Sequence, residues 1–127
     1  MKTVTTDKAP GAIGPYSQGI AAIPSEVLFL SGQIGLDPVS GNLVGGGIEE
    51  ETKQVLANIR AIVEAAGLSV ESVVKTTIFL VDLADFQLVN SLYADFFGDH
   101  RPARSTVQVS GLPRSARIEI EAIAVRA

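Results

Sequence analysis

The chain has 127 residues, which is enough for a single domain with a buried core, and we expect one domain over residues 1–127. Hydrophobic residues account for 46% of the chain and charged residues for only 19%, which is more apolar surface than a small monomer readily hides, so we expect self-association. A formal net charge of −4, with ten Lys and Arg residues that form no block, argues against nucleic acid as a partner.

Two absences narrow the class of protein further. With no cysteine, the chain has no disulfide, no thiolate metal ligand and no cysteine nucleophile. The first residues lack the apolar core of a signal peptide, and no apolar run reaches the roughly 18 residues that span a bilayer. We therefore expect a cytoplasmic protein with no membrane partner.

The first part of the chain predicts strands and loops. Residues 1–16 are rich in Pro and Gly, which is typical of an ordered loop. Residues 17–23 and 27–31 predict strands, and the short spacing between them predicts a first hairpin. Residues 32–47 contain six glycines and Pro38, so a long loop is expected there.

The middle of the chain predicts two helices with a strand between them. Residues 49–66 carry apolar side chains on one helical face, begin with three glutamates that favour the positive end of the helix dipole, and stop before Gly67. Residues 72–81 are rich in β-branched and aromatic side chains, which is typical of a buried strand. Residues 85–97 again show apolar residues at helical spacing, and Gly98 is placed to end that helix.

The tail predicts two further strands, at residues 101–107 and 118–125, joined into a hairpin by a Gly/Pro turn at residues 111–115. In the last strand, Glu119 and Glu121 share one face, which turns apolar towards the C-terminus. The resulting order β-β-α-β-α-β-β predicts an α+β domain of two layers, with the helices on one face of the sheet.

The predicted hairpin would place an arginine and a glutamate near each other on neighbouring strands. Such a pair can do chemistry, because a guanidinium can hold a substrate carboxylate through two parallel hydrogen bonds and a carboxylate can move a proton or orient water. The alternative is a structural ion pair, since charges on paired strands are common. The spacing alone leaves both interpretations open.

Other familiar kinds of site find little support in the sequence. His100 is the only histidine and has no cluster of acidic residues at metal-ligand spacing, so we expect no metal site. Ser17, Ser31 and Ser105 lack the sequence setting of a hydrolase nucleophile. The glycines at 45–47 precede a helix, but no Lys-Ser/Thr follows them, so they predict a flexible helix start and not a phosphate-binding loop.

Four further residues have two interpretations each. Tyr16, which follows a Gly-Pro pair, either lines a cleft or packs in the interior. Ser31 and Gly32 either present backbone amides to a ligand at the end of a strand or are an ordinary strand exit. Asn90, taken alone, fits a solvated helix position, with a functional role as the alternative.

Taken together, the sequence resembles the RidA (YjgF) family of reactive imine deaminases along nearly its whole length. The resemblance rests on several short motifs in the family's order, none of which would suffice alone: Ile13-Gly14-Pro15-Tyr16-Ser17-Gln18-Gly19, Leu30-Ser31-Gly32-Gln33-Ile34-Gly35, Val74-Lys75-Thr76-Thr77, Val89-Asn90, Pro102-Ala103-Arg104-Ser105 and Ile118-Glu119-Ile120-Glu121-Ala122. This resemblance implies a chorismate-mutase-like α+β protomer and a homotrimer with clefts between its subunits.

The resemblance also implies an activity without a cofactor: the hydrolysis of 2-imino or 2-enamino acids, such as 2-iminopropanoate and 2-iminobutanoate, to 2-oxo acids and ammonia. By position, Arg104 would bind the substrate carboxylate, and Glu119 would hydrogen-bond the attacking water or the imine nitrogen. The cleft would be completed by residues that come partly from the neighbouring chain: Tyr16, Ser31, Gly32 and Asn90. We expect the three-fold contact to bring Tyr16 or Asn90 of one chain towards the Arg104 and Glu119 of another.

Two departures from the family pattern bear on the site. Thr106 stands where many members carry a cysteine, so a thiol-dependent mechanism is excluded, although the hydroxyl can still contact the substrate. The loop at residues 98–101 is shorter than in some relatives, which leaves the preferred substrate size open. Two other functions stand as alternatives: a regulatory trimer that binds small carboxylates without turnover, and an endoribonuclease or translation inhibitor, which the net charge disfavours.

Overall fold

The computed structural model describes residues 1–127 as six strands and two α-helices. In chain order these elements are β1 (Lys2–Val4), β2 (Gly19–Ala21), β3 (Glu26–Gln33), α1 (Ile48–Ala65), β4 (Val73–Leu80), α2 (Phe86–Phe97), β5 (Ala103–Gln108) and β6 (Ile118–Arg126). Every strand and helix predicted from the sequence is present, with shifted ends, and β1 is an additional strand inside the segment predicted to be a loop. No helix combines the length and the apolar character that crossing a bilayer requires.

Four strands form the main sheet in the order β3-β6-β4-β5. β6 runs antiparallel to both of its neighbours, and β5 pairs in parallel with β4 at the edge of the sheet. β1 and β2 form a separate antiparallel ribbon. Both helices pack on one face of the main sheet, which confirms the predicted α+β domain of two layers and leaves the other face without a covering layer.

The first predicted hairpin is wrong. β2 pairs with β1 and not with β3, because the connection at residues 22–25 carries the chain from the ribbon to the edge of the main sheet. Ser25 marks this transition, since its backbone N–H donates to the carbonyl of Arg126 at the end of β6, at 2.9 Å. The short linker therefore joins two different sheets.

The predicted hairpin between the last two strands is also wrong, because β4 lies between β5 and β6. The connecting segment passes across the C-terminal end of β4: Val109 N–H donates to Leu80 O at 2.8 Å, and Val81 N–H donates to Arg117 O at 3.2 Å. Within this segment Arg114 takes a positive φ of 61°, where the chain turns back towards the sheet. The apolar strand β4 lies inside the sheet, because at an edge its backbone N–H and C=O groups would be unpaired on one side.

Both helices begin and end within a residue of the predicted positions. α1 starts after Gly47, whose φ of 80° lies in the left-handed region, and it carries three glutamates in its first turn. Gly67 follows α1 with a φ of 76°, and Gly98 ends α2 with a φ of 61°, both conformations that favour glycine.

The core lies between the helices and the sheet. Its buried apolar side chains come from both helices and from the helix-facing positions of the strands: Val55, Ile59, Val63, Val73, Ile78, Leu80, Val89, Ile118, Ile120 and Ala124. Tyr93 of α2 adds a polar pair to this core, with its phenol oxygen 2.8 Å from Thr76 Oγ1. Burial raises the pKa of Tyr93 to about 12, although the hydrogen bond with Thr76 and the charge of Arg104 oppose the shift.

Tyr93→Phe removes the hydroxyl and leaves the buried Thr76 Oγ1 without its partner. We expect the free energy of unfolding at neutral pH to fall by about 1–3 kcal/mol, which is the cost of an unsatisfied buried polar group. Urea unfolding curves of the wild-type protein and the variant, measured at the same protein concentration, give this difference.

The same pair of proteins tests the ionisation of Tyr93. The folded protein holds the phenol proton to a pKa of about 12, against an ordinary value of 10.0, so the stability gained is fully present below pH 10 and is lost as the pH rises through 12. The wild-type protein should therefore lose more stability over this range than Tyr93→Phe does. If the difference in unfolding free energy between the two proteins stayed constant with pH, a neutral, buried Tyr93 phenol would be contradicted.

Candidate active site

Arg104 lies at the centre of a polar cluster on the helix-facing side of β5. Its register partner on β4 is Thr76, which is buried beneath Tyr93, so Arg104 also points towards the helices. Arg104 Nη1 donates to Asn90 Oδ1 of α2 at 2.7 Å. Asn90 is therefore a hydrogen-bond partner of the arginine and not the solvated helix position that its sequence context alone indicates.

Three aromatic rings surround the Arg104 guanidinium. The guanidinium carbon, Cζ, lies 5.0 Å from the ring centre of Tyr93, 5.3 Å from that of Tyr16 and 5.7 Å from that of Phe86. These distances are within reach of cation–π interactions. Burial lowers the pKa of Arg104, while Tyr93 and Tyr16 oppose that shift, and a guanidinium stays protonated at neutral pH. Arg104 takes part in none of the ion pairs of the chain, so the cluster holds a half-buried positive charge that can accept an anion.

A cavity of about 460 Å³ opens in front of Arg104. Its wall combines apolar side chains with a few polar groups: Ile13, Gly14, Tyr16, Leu83, Phe86, Asn90, Arg104 and Thr106. Thr106 Oγ1 is buried and has no hydrogen-bond partner within the chain. A small molecule with a carboxylate for Arg104 and an apolar remainder matches this wall in its chemistry.

The segment that precedes β2 supplies one wall of the cavity. The backbone N–H of Tyr16 donates to Gly14 O at 2.8 Å, and the N–H of Ile13 donates to the Tyr16 phenol oxygen at 3.3 Å. Gly14 lies close to the guanidinium, since a Cβ there would be 3.4 Å from Arg104 Nη2. Tyr16 therefore lines a cleft and is not packed in the interior.

Glu119 lies on the opposite face of the sheet from Arg104. Its register partner on β4 is Phe79, whereas Arg104 pairs with Thr76. These two positions of β4 are three residues apart, and side chains alternate along a strand, so they face opposite sides. One protomer therefore separates the guanidinium from this carboxylate by the thickness of its own sheet.

The Glu119 carboxylate packs directly on Gly32 of β3. A Cβ at Gly32 would lie 2.7 Å from Glu119 Oε2 and 3.1 Å from Glu119 Cγ, so only glycine fits beneath this side chain in its present position. Ser31 is exposed beside Gly32, in the stretch where the register of β3 with β6 shifts. Gly32 and Glu119 thus form a second group on the uncovered face, and Ser31 precedes it in the chain.

The structure therefore divides the predicted site residues into two groups, and two expectations are wrong. Tyr16 and Asn90 contact the Arg104 of their own chain, so they are not brought to it by a neighbouring one. The strands that carry Arg104 and Glu119 are not neighbours, because β4 lies between them, so these residues form no ion pair within a protomer.

Sequence analysis did not find the apolar wall formed by Ile13, Leu83 and Phe86. Phe86 fits the core stripe of α2 by its spacing, and only its place in the first turn of the helix puts it beside Arg104. His100 does not line this cavity, and its Nε2 lies 2.6 Å from the carbonyl oxygen of Val73. The chain has no group of three or more side chains that could hold a metal ion.

Comparisons with known proteins agree with this fold and show the family to which the chain belongs. The sequence model of the family described as Endoribonuclease L-PSP matches residues 6–126. The human 2-iminobutanoate/2-iminopropanoate deaminase is 50% identical over 125 residues, which cover 98% of this chain and 90% of the human protein. The chain belongs to this family, which is the RidA (YjgF) family.

Two solved structures from E. coli share the fold over their whole length. The YjgF gene product is 48% identical, with a TM-score of 0.76 and 100% of each chain covered. TdcF, solved with bound serine, is 45% identical, with a TM-score of 0.77 and again 100% of each chain covered. At these identities the similarity extends beyond the backbone to many of the side chains.

Gly32→Ala places a methyl group in the space that the Glu119 carboxylate occupies. We expect the protein to fold at a cost of about 1–3 kcal/mol, because the obstructing atoms belong to a side chain that can turn away. A crystal structure of the variant shows whether Glu119 has moved. Gly11→Ala is the control, since a Cβ at Gly11 meets nothing within 4 Å. An unmoved Glu119 in Gly32→Ala would contradict the packing described here.

Proposed function

We propose that this protein hydrolyses reactive 2-imino acids and their enamine forms, such as 2-iminopropanoate and 2-iminobutanoate, to 2-oxo acids and ammonia. The observation that carries the proposal is the half-buried guanidinium of Arg104, which faces a largely apolar cavity without a carboxylate partner. Human, mouse and bovine relatives at about 50% identity bear the name of this activity. The site therefore suits a small carboxylate with a short aliphatic side chain.

Arg104 binds the substrate carboxylate in this proposal. Asn90 holds one arm of the guanidinium, which limits the orientations open to the rest of the group. Two parallel hydrogen bonds to the carboxylate then orient the imine carbon within the cavity. The relative TdcF was solved with bound serine, a small molecule that also carries a carboxylate.

The reaction adds water to the imine carbon, and the tetrahedral adduct expels ammonia to leave the 2-oxo acid. We assign Glu119 to the attacking water, which it orients and from which it accepts a proton. Over the whole reaction the water gives up both of its protons, one during the attack and one as the adduct collapses, and the imine nitrogen gains two and leaves as ammonia, so the reaction needs no redox partner. A positioned general base contributes on the order of 10²–10⁴ in rate, which is adequate because such imines also hydrolyse unaided.

One protomer does not present both groups to one substrate, because its sheet separates Arg104 from Glu119. We propose that a neighbouring copy supplies the Glu119 side of each site in a closed homotrimer. The uncovered face of the sheet supports this assembly, since Phe29 is 75% exposed and Val27 and Val107 are exposed as well. Closure about a three-fold axis joins unlike surfaces and makes three equivalent sites.

Arg104→Lys keeps the charge but loses the planar pair of donors. We expect kcat/KM to fall by about 10- to 100-fold, the value of one or two hydrogen bonds to a charged group, and Arg104→Ala to abolish turnover. Release of 2-oxo acid and ammonia from freshly generated 2-iminopropanoate measures the rate, and thermal unfolding confirms that the variants fold. Arg101→Ala, which alters an exposed arginine outside the cavity, should keep wild-type activity. Full activity in Arg104→Ala would remove the carboxylate clamp from the mechanism.

Mixed trimers test whether a site is shared between subunits. Arg104→Ala should be inactive alone and Glu119→Gln should keep only a small residual rate, because every site lacks one group. When the two proteins are unfolded and refolded together in equal amounts, about a quarter of the sites should pair an intact Arg104 with an intact Glu119 from a neighbour. Activity that returns after joint refolding, and not after separate refolding, supports the shared site. No recovery in trimers shown to be mixed would contradict it.

RNA cleavage is the rival activity, because the family model carries the description Endoribonuclease L-PSP. The net charge of −4 gives no electrostatic attraction for a phosphate backbone, and this favours the small carboxylate. Assays of RNA cleavage and of 2-iminopropanoate binding, run beside the turnover assay, separate the rival activity from a regulatory trimer that binds without turnover.

A further inference from the structure

Glu51 is the one acidic side chain of the chain that is fully buried, and the reaction described above does not use it. It lies in the first turn of α1. Its Oε1 accepts the backbone N–H of Arg117 at 2.8 Å, and its Oε2 accepts Arg117 Nη1, also at 2.8 Å. One carboxylate thus holds both the backbone and the side chain of the residue that precedes β6.

We propose that Glu51 is a positioning residue, which fixes Arg117 and thereby sets the place of the Glu119 carboxylate in the site. The inference rests on the proposed function, in which Glu119 acts on the attacking water. Glu51 itself is buried away from the Arg104 cavity and touches no substrate.

The start of β6 depends on this anchor because only one neighbouring strand holds it. Ile118 and Glu119 pair with β4 alone, whereas the pairing with β3 begins at Ile120. The hydrogen bonds between Glu51 and Arg117 attach this strand end to α1 as well. At about 3.3 Å per residue, Arg117 lies about 7 Å along the strand from Glu119. A shift of Arg117 is therefore passed along the backbone to Glu119.

α1 also holds the strand against which Glu119 packs. The chain beyond β3 approaches the helix closely at Gly35, where a Cβ would lie 3.0 Å from the Cα and the carbonyl oxygen of Glu51. Gly32, three residues earlier, lies against the Glu119 carboxylate. The first turn of α1 is therefore joined to both strands that form the Glu119 side of the site.

Stability alone is a weak reason for this contact. Taking a carboxylate out of water costs about as much as a buried ion pair returns. The Arg117 side chain is 56% exposed, so water screens its charge as well. What the contact provides is geometry, since a carboxylate enclosed in the core makes two hydrogen bonds to one residue.

Glu51→Gln keeps the size of the side chain and one acceptor oxygen but loses the charged arm towards Arg117. We expect kcat for 2-iminopropanoate to fall by about 10- to 100-fold, the effect of moving a catalytic group by about 1 Å. KM should change by less than about twofold, because the Arg104 cavity is unaltered. Glu49→Gln, an exposed change in the same helical turn, is the matched control and should keep the wild-type kcat.

The diagnostic measurement repeats the substitution in a Glu119→Gln background. A residue that acts only through Glu119 has nothing left to position there, so Glu51→Gln should lower the residual kcat no further. A fall of equal size in both backgrounds would assign Glu51 a purely structural role and overturn the proposal. A wild-type kcat in the single variant Glu51→Gln would overturn it as well.

The ¹³C signal of the Glu119 carboxyl group tests the positioning without any turnover. It should shift in Glu51→Gln and stay unchanged in Glu49→Gln. If the signal shifts but the wild-type protein releases no ammonia, the positioning role stands and the proposed function fails. An unchanged signal would overturn the positioning role whatever the activity. Should Glu51→Gln not fold, Arg117→Gln removes only the guanidinium arm, and the same comparisons apply to it.

Discussion

The place of β4 between β5 and β6 is the constraint on which the site depends. Because side chains alternate along each strand, the register with β4 turns Arg104 towards the helices and Glu119 towards the uncovered face. A slip of one residue would exchange the two faces and expose the buried apolar side chains of the central strands to water. The hydrophobic core that forbids this slip therefore also sets which reactive groups share a face.

Arg104 shows how the fold keeps a charge available for a ligand. Three aromatic rings and the amide of Asn90 surround the guanidinium, so it is held in place and partly removed from water without being neutralised. Burial disfavours the charged form, which is why the pKa of Arg104 is lowered. In the proposed function the substrate carboxylate relieves this cost, because it supplies the opposite charge and the missing hydrogen-bond acceptors together.

Local patterns predicted much of the fold but little of the strand pairing. The ends of α1 and α2 follow from apolar spacing and from glycines with positive φ, so the sequence predicted them to within a residue. The first hairpin is predicted from a short linker and the second from a Gly/Pro turn, and both are wrong. A linker limits how far apart two strands can lie, whereas the choice of partner depends on which strands bury the most apolar surface along the whole chain.

Local sequence patterns were enough to predict the types of element, and the family resemblance was enough to single out Arg104 and Glu119 as candidate site residues. The folded chain was needed to show that Tyr16, Asn90 and Arg104 line one cavity, while Gly32 and Glu119 lie on the other face of the sheet. The physical reason is that the face a side chain takes depends on strand order and register. Both are set by contacts between residues far apart in the chain, which no local pattern of residues specifies.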